Sequence, residues 1–175
     1  MPFDFNDIVN NEFPIERQRM SNWCWAACTV SVCTFYERTQ TFSQQKLVAS
    51  VLDMPVCASI RPFPACNKTF DFGRALQRVG HLSGDAIESP LTPQDLANGL
   101  RRGPVGCQME IPQIGGHAVI VISGKLNTSG ALLLRVADPS DGSILSMSFS
   151  ALRNNFRGLD GRWVRSYFTK PLNQG

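Results

Sequence analysis

The hydrophobic pattern changes its period near the middle of the chain, and this change limits the possible folds more than any other feature. Apolar residues recur every three or four positions up to about residue 102, which is typical of helices, and every second position after about residue 104, which is typical of strands. A helix-rich half followed by a strand-rich half indicates an α+β fold and not alternating βαβ units. Because 175 residues can bury one sizeable core, we expect residues 1–175 to form a single domain.

Local capping and breaking signals position the elements. We predict helices at residues 24–37, from the N-cap Ser43 to a stop before Pro55, at residues 70–79, and from the N-cap Thr92 to about Arg101. Strands are predicted at residues 105–110, 117–123, 131–137, 143–149 and 163–169. Short connections between strands favour antiparallel neighbours. The proline-rich segment 54–67 is predicted to be an irregular loop, which Cys57 and Cys66 could close in an oxidising environment.

Composition excludes several classes of protein. The net charge is +3, from 17 basic and 14 acidic residues, and the arginines are scattered rather than clustered as phosphate binding requires. No apolar run approaches the ~18 residues needed to span a bilayer. We therefore expect neither a nucleic-acid partner nor a membrane span. The six cysteines form no CxxC pair and the chain has two histidines, so we expect no metal and no cofactor.

The N-terminus bears on localisation. It carries Asp4 and Asp7 where a secretory signal would be basic, and no apolar segment follows. We therefore expect synthesis in the cytoplasm without a classical signal peptide, with a specialised secretion system into a target cell as the route of export.

The strongest chemical signal is the segment from Gln18 to Cys28. A polar, turn-like stretch leads directly into the first apolar helix, with Cys24 at the start of that helix. A helix N-terminus carries a partial positive charge that stabilises a thiolate. Cys24 is therefore the candidate nucleophile, and Gln18, six residues earlier, could donate its side-chain amide to an oxyanion.

A thiolate nucleophile needs a base, and His117 is the better of the two histidines. It follows Gly115-Gly116 and opens an apolar strand, whereas His81 is predicted to lie in a surface turn. Asp138 ends the next strand and would orient the His117 imidazole. Because strand register cannot be fixed from sequence, Asp141 stays open as the alternative partner.

These residues together resemble a known family. Bacterial papain-like cysteine peptidases show the same order of motifs, and the similarity is greatest to bacteriocin-leader peptidases and type III effector proteases of plant pathogens. The motifs are Gln18, the run from Asn22 to Ala27, Gly116-His117-Ala118-Val119 and Ala137-Asp138-Pro139. The histidine lies 93 residues after Cys24, which is closer than in lysosomal papain relatives.

The resemblance implies a papain-like fold with a helical lobe at about 18–102 and an antiparallel sheet lobe at about 104–170. It implies four catalytic residues: Cys24 as nucleophile, His117 as base and then acid, Asp138 as orienting group and Gln18 as oxyanion donor. The implied activity is thiol-dependent hydrolysis of peptide bonds through a Cys24 acyl-enzyme, in a delivered effector or toxin. The implied partners are a protein or peptide substrate and an activating host protein or cognate immunity protein.

Two alternative functions stay open at this stage. The same acyl-enzyme can form from other amides, which allows a deamidase, a transglutaminase or an amidase acting on protein or peptidoglycan. A catalytically silent peptide-binding module is the third hypothesis, although all four site positions hold residues that could act.

Overall fold

The computed structural model describes residues 13–40 and 42–172, and within them four α-helices precede the sheet and a fifth lies between its last two strands, in an α+β arrangement. The segment with Asp4 and Asp7, on which the expectation about export depends, lies outside the described residues. The helices are α1 (Cys24–Glu37), α2 (Gln44–Leu52), α3 (Phe72–Arg78), α4 (Pro93–Leu100) and α5 (Phe149–Asn154). The strands are β1 (Val105–Ile111), β2 (Gly115–Leu126), β3 (Leu132–Asp138), β4 (Ser143–Ser148) and β5 (Arg162–Phe168).

Side-chain caps fix where most helices begin. The Ser43 side chain accepts a hydrogen bond from the Lys46 N–H, and the Thr92 side chain accepts one from the Asp95 N–H, as their N-cap positions predict. The N-terminus of α1 differs, because Trp23 precedes the helix and no side chain caps it. The positive end of α1 therefore keeps backbone N–H donors without a capping group.

The five strands form one antiparallel sheet in the order β4-β3-β2-β1-β5. Its central strand, β2, is buried on both faces over Ala118 to Ser123. One face packs against α1 and α3 through a core that includes Ala118, Ile120 and Tyr167. The other face packs against α4 and α5 through a second core that includes Val119, Val121 and Leu152. Packing on both faces makes β2 a rigid support for the residues at its start.

Two predictions about local structure are wrong. The prediction that strand 143–149 continues through Phe149 fails, because β4 ends at Ser148, whose side chain caps the short helix α5. His81 does not lie in a surface turn; it is fully buried, and both ring nitrogens have polar partners. The cause is tertiary, because the Gly80-His81 turn is covered by the residues that follow β5.

Candidate active site

The first residue of α1 is Cys24, and a contact one turn further along ties this helix to the central strand. The Cys28 thiol donates to the Ala118 carbonyl oxygen at 3.4 Å. Ala118 follows His117 in β2, so the contact brings the start of α1 to the start of β2. Cys24 and His117 are each about 9% exposed, which leaves them accessible at the edge of the protein while most of their surface is packed.

The partner of His117 is Asp138. His117 Nε2 lies 2.8 Å from Asp138 Oδ1, and the pairing of β2 with β3, with Ile120 opposite Ala137, sets the two side chains beside each other. Asp141, which the sequence left as an alternative, is instead about half exposed and accepts hydrogen bonds from Ser143 and Arg157. The strand register therefore brings Asp138, and not Asp141, to the imidazole.

The electrostatic environment favours the charged form of His117. Burial opposes this charge, but the hydrogen bond and negative charge of Asp138, together with the hydrogen bond and charge of Cys24, outweigh burial and raise the pKa of His117 to about 9. Since Nε2 is engaged by Asp138, Nδ1 is the ring nitrogen left for Cys24. A His117 imidazolium held in this way has a proton to give to a leaving group.

Sequence reasoning missed Arg157, which contacts the same carboxylate. Arg157 Nε lies 2.7 Å from Asp138 Oδ2. The contact is an ion pair between a buried carboxylate and an arginine side chain that is 31% exposed. Burial opposes the charge of Asp138, but bonds from His117 and the Ser140 N–H hold its pKa below the usual value. No pattern near residue 157 signals this role, because the turn that carries Arg157 meets Asp138 only through the tertiary fold.

Gln18 lies in the loop before Cys24, with its side chain turned onto that loop. Its Nε2 donates to the Met20 carbonyl at 3.1 Å and to the Ser21 carbonyl at 2.7 Å. Its backbone N–H donates to the Pro139 carbonyl at 2.7 Å, which links this loop to the turn after Asp138. The buried Oε1 atom has no hydrogen-bond partner. The structure therefore places the Gln18 backbone beside the turn after Asp138 and directs the Gln18 amide hydrogens at protein carbonyls.

A disulfide between Cys57 and Cys66 closes the loop that supports the approach to Cys24. The backbone N–H and side-chain amide of Asn22 both bond to Asn67, each at 2.9 Å. The Trp23 indole donates to the Cys66 carbonyl at 2.8 Å. The position of the residues before Cys24 therefore depends on a loop that the disulfide constrains.

Loss of this disulfide should reduce stability by about 2 to 3 kcal/mol, because the link closes a short loop whose two cysteines are nine residues apart. The measurement is urea unfolding of the oxidised wild type, the wild type in dithiothreitol and the double variant Cys57→Ala/Cys66→Ala. In dithiothreitol, wild type and variant should become equally stable. Equal stability of oxidised and reduced wild type would contradict this account.

A groove of about 610 Å³ includes in its lining Gly116, the residue before His117. Carboxylates are concentrated along it, and Arg165 pairs with Glu88 at 2.6 Å and Asp71 at 3.3 Å. Its lining includes Phe70, Asp71, Glu88, Gln108, Glu110 and Gly116. Phe70 also packs on Trp25 of α1, with ring centroids 5.2 Å apart, so one wall of the groove is fixed to the helix that carries Cys24.

The fold is that of papain-like cysteine proteases. Two crystal structures of the Amb a 11 cysteine protease, a ragweed pollen allergen in its proform, align with TM-scores of 0.52 and 0.50 at 14% and 13% identity. The alignments cover 100% and 99% of this chain and 71% and 70% of the allergen chains. At such low identity the similarity establishes the fold alone.

The family is established by sequence. The sequence model of the family described as papain-like cysteine protease AvrRpt2 matches residues 8–157, so the chain belongs to this family and is a cysteine protease. The predicted resemblance to papain-like peptidases, the two-lobed α+β fold and the enzyme class are thereby confirmed. No curated protein matches the chain. Among the described residues, no helix is both long enough and apolar enough to cross a membrane.

Proposed function

We propose that the chain hydrolyses peptide bonds through a thioester on Cys24, with His117 as base and acid and Asp138 as its orienting group. The observation that carries the proposal is the position of His117, whose Nε2 lies 2.8 Å from Asp138 Oδ1 and whose pKa is raised by both Asp138 and Cys24. A nucleophile, a base and a group that orients the base are what acyl transfer requires.

In the proposed reaction the Cys24 thiolate attacks the carbonyl carbon of the substrate and forms a tetrahedral intermediate. The His117 imidazolium then gives its proton to the leaving amine, and a thioester remains on Cys24. His117, now neutral, takes a proton from water, and the resulting hydroxide equivalent attacks the thioester and releases the acid product. Asp138 fixes the ring orientation and stabilises the imidazolium at both stages.

The oxyanion would be held at the uncapped start of α1. The first intrahelical bond of α1 runs from the Ala27 N–H to the Trp23 carbonyl, so the Cys24 N–H precedes that ladder and is available to a substrate oxygen. We propose Gln18 Nε2 as the second donor. Its longer contact, to the Met20 carbonyl at 3.1 Å, is the one that a substrate oxyanion would replace.

We propose that a protein or peptide substrate reaches Cys24 along the groove that Gly116 helps to line. Three carboxylates and one cation, Arg165, line this groove, so its net charge is negative and a substrate segment with basic side chains would be electrostatically favoured over an acidic one. Delivery into a target cell as an effector, with an activating or immunity partner, is proposed from the family alone.

The experiment that tests this function is trapping with a thiol-reactive peptide inhibitor, followed by peptide mapping. We expect one inhibitor molecule per chain, attached to Cys24. The chain supplies its own controls, because Cys28, Cys33 and Cys107 are free thiols that are fully buried and should stay unlabelled. Attachment at any cysteine other than Cys24 would overturn the assignment.

The products distinguish proteolysis from the alternative amide chemistries. Incubation with a peptide library should yield new N-termini that are absent without the enzyme. Conversion of glutamine to glutamate without chain cleavage would instead identify a deamidase, and inhibitor labelling without any product would identify a binding module.

A further inference from the structure

A second cluster of metal-ligating side chains lies at the far end of α1, away from the candidate active site. Cys33 and Glu37 are one helical turn apart on α1, so their side chains share a face, and His81 packs against that face. One ligand atom from each of the three residues lies within 4.8 Å of the other two. Cys33 is nine residues from Cys24, or about 14 Å along the helix axis, so this cluster uses neither Cys24 nor His117.

The hydrogen bonds of His81 leave Nε2 facing an anion. His81 Nδ1 lies 2.9 Å from the Lys170 carbonyl oxygen, which can only accept, so Nδ1 carries a hydrogen. Nε2 lies 3.1 Å from Glu37 Oε1. The second ring nitrogen therefore points at the Glu37 carboxylate, so an imidazole nitrogen and a carboxylate oxygen converge on the same place.

We propose that Cys33, Glu37 and His81 bind a zinc ion through Sγ, a carboxylate oxygen and Nε2. Thiolate, carboxylate and imidazole are the three ligand types that zinc uses in proteins. Three protein ligands with water in a fourth position satisfy its preference for four-coordinate geometry. Zinc binding forms the three metal–ligand bonds, and the thiol proton of Cys33 and any proton on His81 Nε2 leave to solvent.

The surroundings of His81 match those of a metal-ligating histidine. A ligating histidine usually donates its other ring N–H to a carbonyl or carboxylate, which fixes the tautomer and ring orientation, and His81 does so to Lys170. Tyr36 stacks on the His81 ring with centroids 5.3 Å apart and planes 18° apart. The Tyr36 hydroxyl is itself held 2.8 Å from Thr169 Oγ1. The ring orientation is therefore set before any metal binds.

An ion can reach the cluster from the side of Glu37. The Glu37 side chain is 19% exposed whereas His81 is fully buried, so an ion would enter past the carboxylate. The competing state is a direct contact between His81 and Glu37 without a metal ion.

The test uses tag-free, full-length Cys24→Ala protein, in which the other thiol–imidazole pair is removed. The protein is kept oxidised, so that Cys57 and Cys66 cannot ligate. Equilibrium dialysis against Zn²⁺ should give one bound zinc per chain. Cobalt(II) should give a thiolate-to-metal absorption band. Thermal unfolding at zinc 100-fold above its Kd should shift upward by about 5 to 10 °C.

Three variants in this background assign the ligands. Cys33→Ala and Glu37→Gln should each lower zinc affinity by at least about tenfold, the scale on which even outer-shell changes act, and Cys33→Ala should also abolish the cobalt–thiolate band. Cys107→Ala is the matched control, because Cys107 is equally buried and belongs to no metal-ligating group among the described residues. Glu37→Gln keeps the side-chain shape at a half-buried position, so it reports on binding even if Cys33→Ala unfolds.

The results distinguish a zinc site from a metal-free cluster. One zinc per chain that is weakened by Cys33→Ala and Glu37→Gln, but not by Cys107→Ala, supports the site. No bound zinc, or zinc that these two substitutions leave unchanged, overturns it and leaves a metal-free contact between His81 and Glu37. Neither outcome depends on peptide cleavage, so the result is independent of the proposed protease mechanism.

Discussion

Replacing Cys24 by alanine should reduce peptide cleavage by at least about 10⁴-fold in kcat, because the thioester cannot form without the thiolate. His117, Asp138 and the oxyanion donors would remain, but acyl transfer without a nucleophile retains only the residual effect of binding and orientation. The substitution removes one small, partly packed side chain at the start of α1, so the fold should persist. The measurement is single-turnover cleavage of a peptide identified by the library experiment, with thermal unfolding as a check on folding.

Cys28→Ala is the matched control for this experiment. Cys28 lies one turn further along the same helix and is fully buried, with its thiol donating to the Ala118 carbonyl. Its loss should cost some stability, through a small cavity and a lost bond, but should leave cleavage within about tenfold of wild type. Full activity of Cys24→Ala, or an equal loss in both variants, would rule out Cys24 as the nucleophile.

Removing the carboxylate of Asp138 should have the second largest effect. Asp138→Ala should lower kcat by about 10³- to 10⁴-fold, because the imidazole loses the group that orients it and stabilises its charge. Asp138→Asn keeps an oxygen that can accept from Nε2 but lacks the negative charge, so its loss should be intermediate. The comparison of the two variants separates ring orientation from charge stabilisation.

The Asp138 substitutions should also change the pH dependence of activity. The leaving amine needs a proton from His117, so activity should fall as pH rises through the pKa of about 9 that the ion pair gives His117. Loss of the Asp138 charge removes a contribution that raises this pKa, so the high-pH limb of kcat/KM should move to lower pH in both variants.

Asp141→Asn is the control for the Asp138 variants, because Asp141 contacts Ser143 and Arg157. This variant should leave both kcat and the high-pH limb of kcat/KM nearly unchanged. A larger loss in Asp141→Asn than in Asp138→Asn would restore Asp141 as the orienting group.

The sequence predicts well those features whose cause is local. Ser43 and Thr92 begin helices because their own side chains bond to N–H groups three residues later. Cys24 begins α1 because a polar turn meets an apolar helix there. The order of cysteine, histidine and acid identifies the family from single positions spread over most of the chain.

Features that arise from contacts between distant segments could not be predicted. His81 looks exposed in its glycine-flanked turn, yet it is buried because the chain after β5 and the end of α1 cover it. The approach of Arg157 to Asp138 depends on where α5 places the following turn. Cys33, Glu37 and His81 share no motif spacing, so sequence reasoning gave no reason to expect a metal there.

The contact between Cys28 and Ala118 joins residues that are 90 positions apart in the chain. Peptide cleavage should therefore appear only after the two halves of the chain have packed together. In the proposed mechanism the helical half holds the nucleophile and the sheet half holds its base, so neither half would cleave a peptide before the two dock. Contacts this distant in sequence require closure of a long loop and form slowly compared with the helices themselves. On this proposal, a chain that is still being synthesised would not yet cleave peptides. The rate at which peptide cleavage recovers during refolding should therefore equal the rate at which α1 docks against β2.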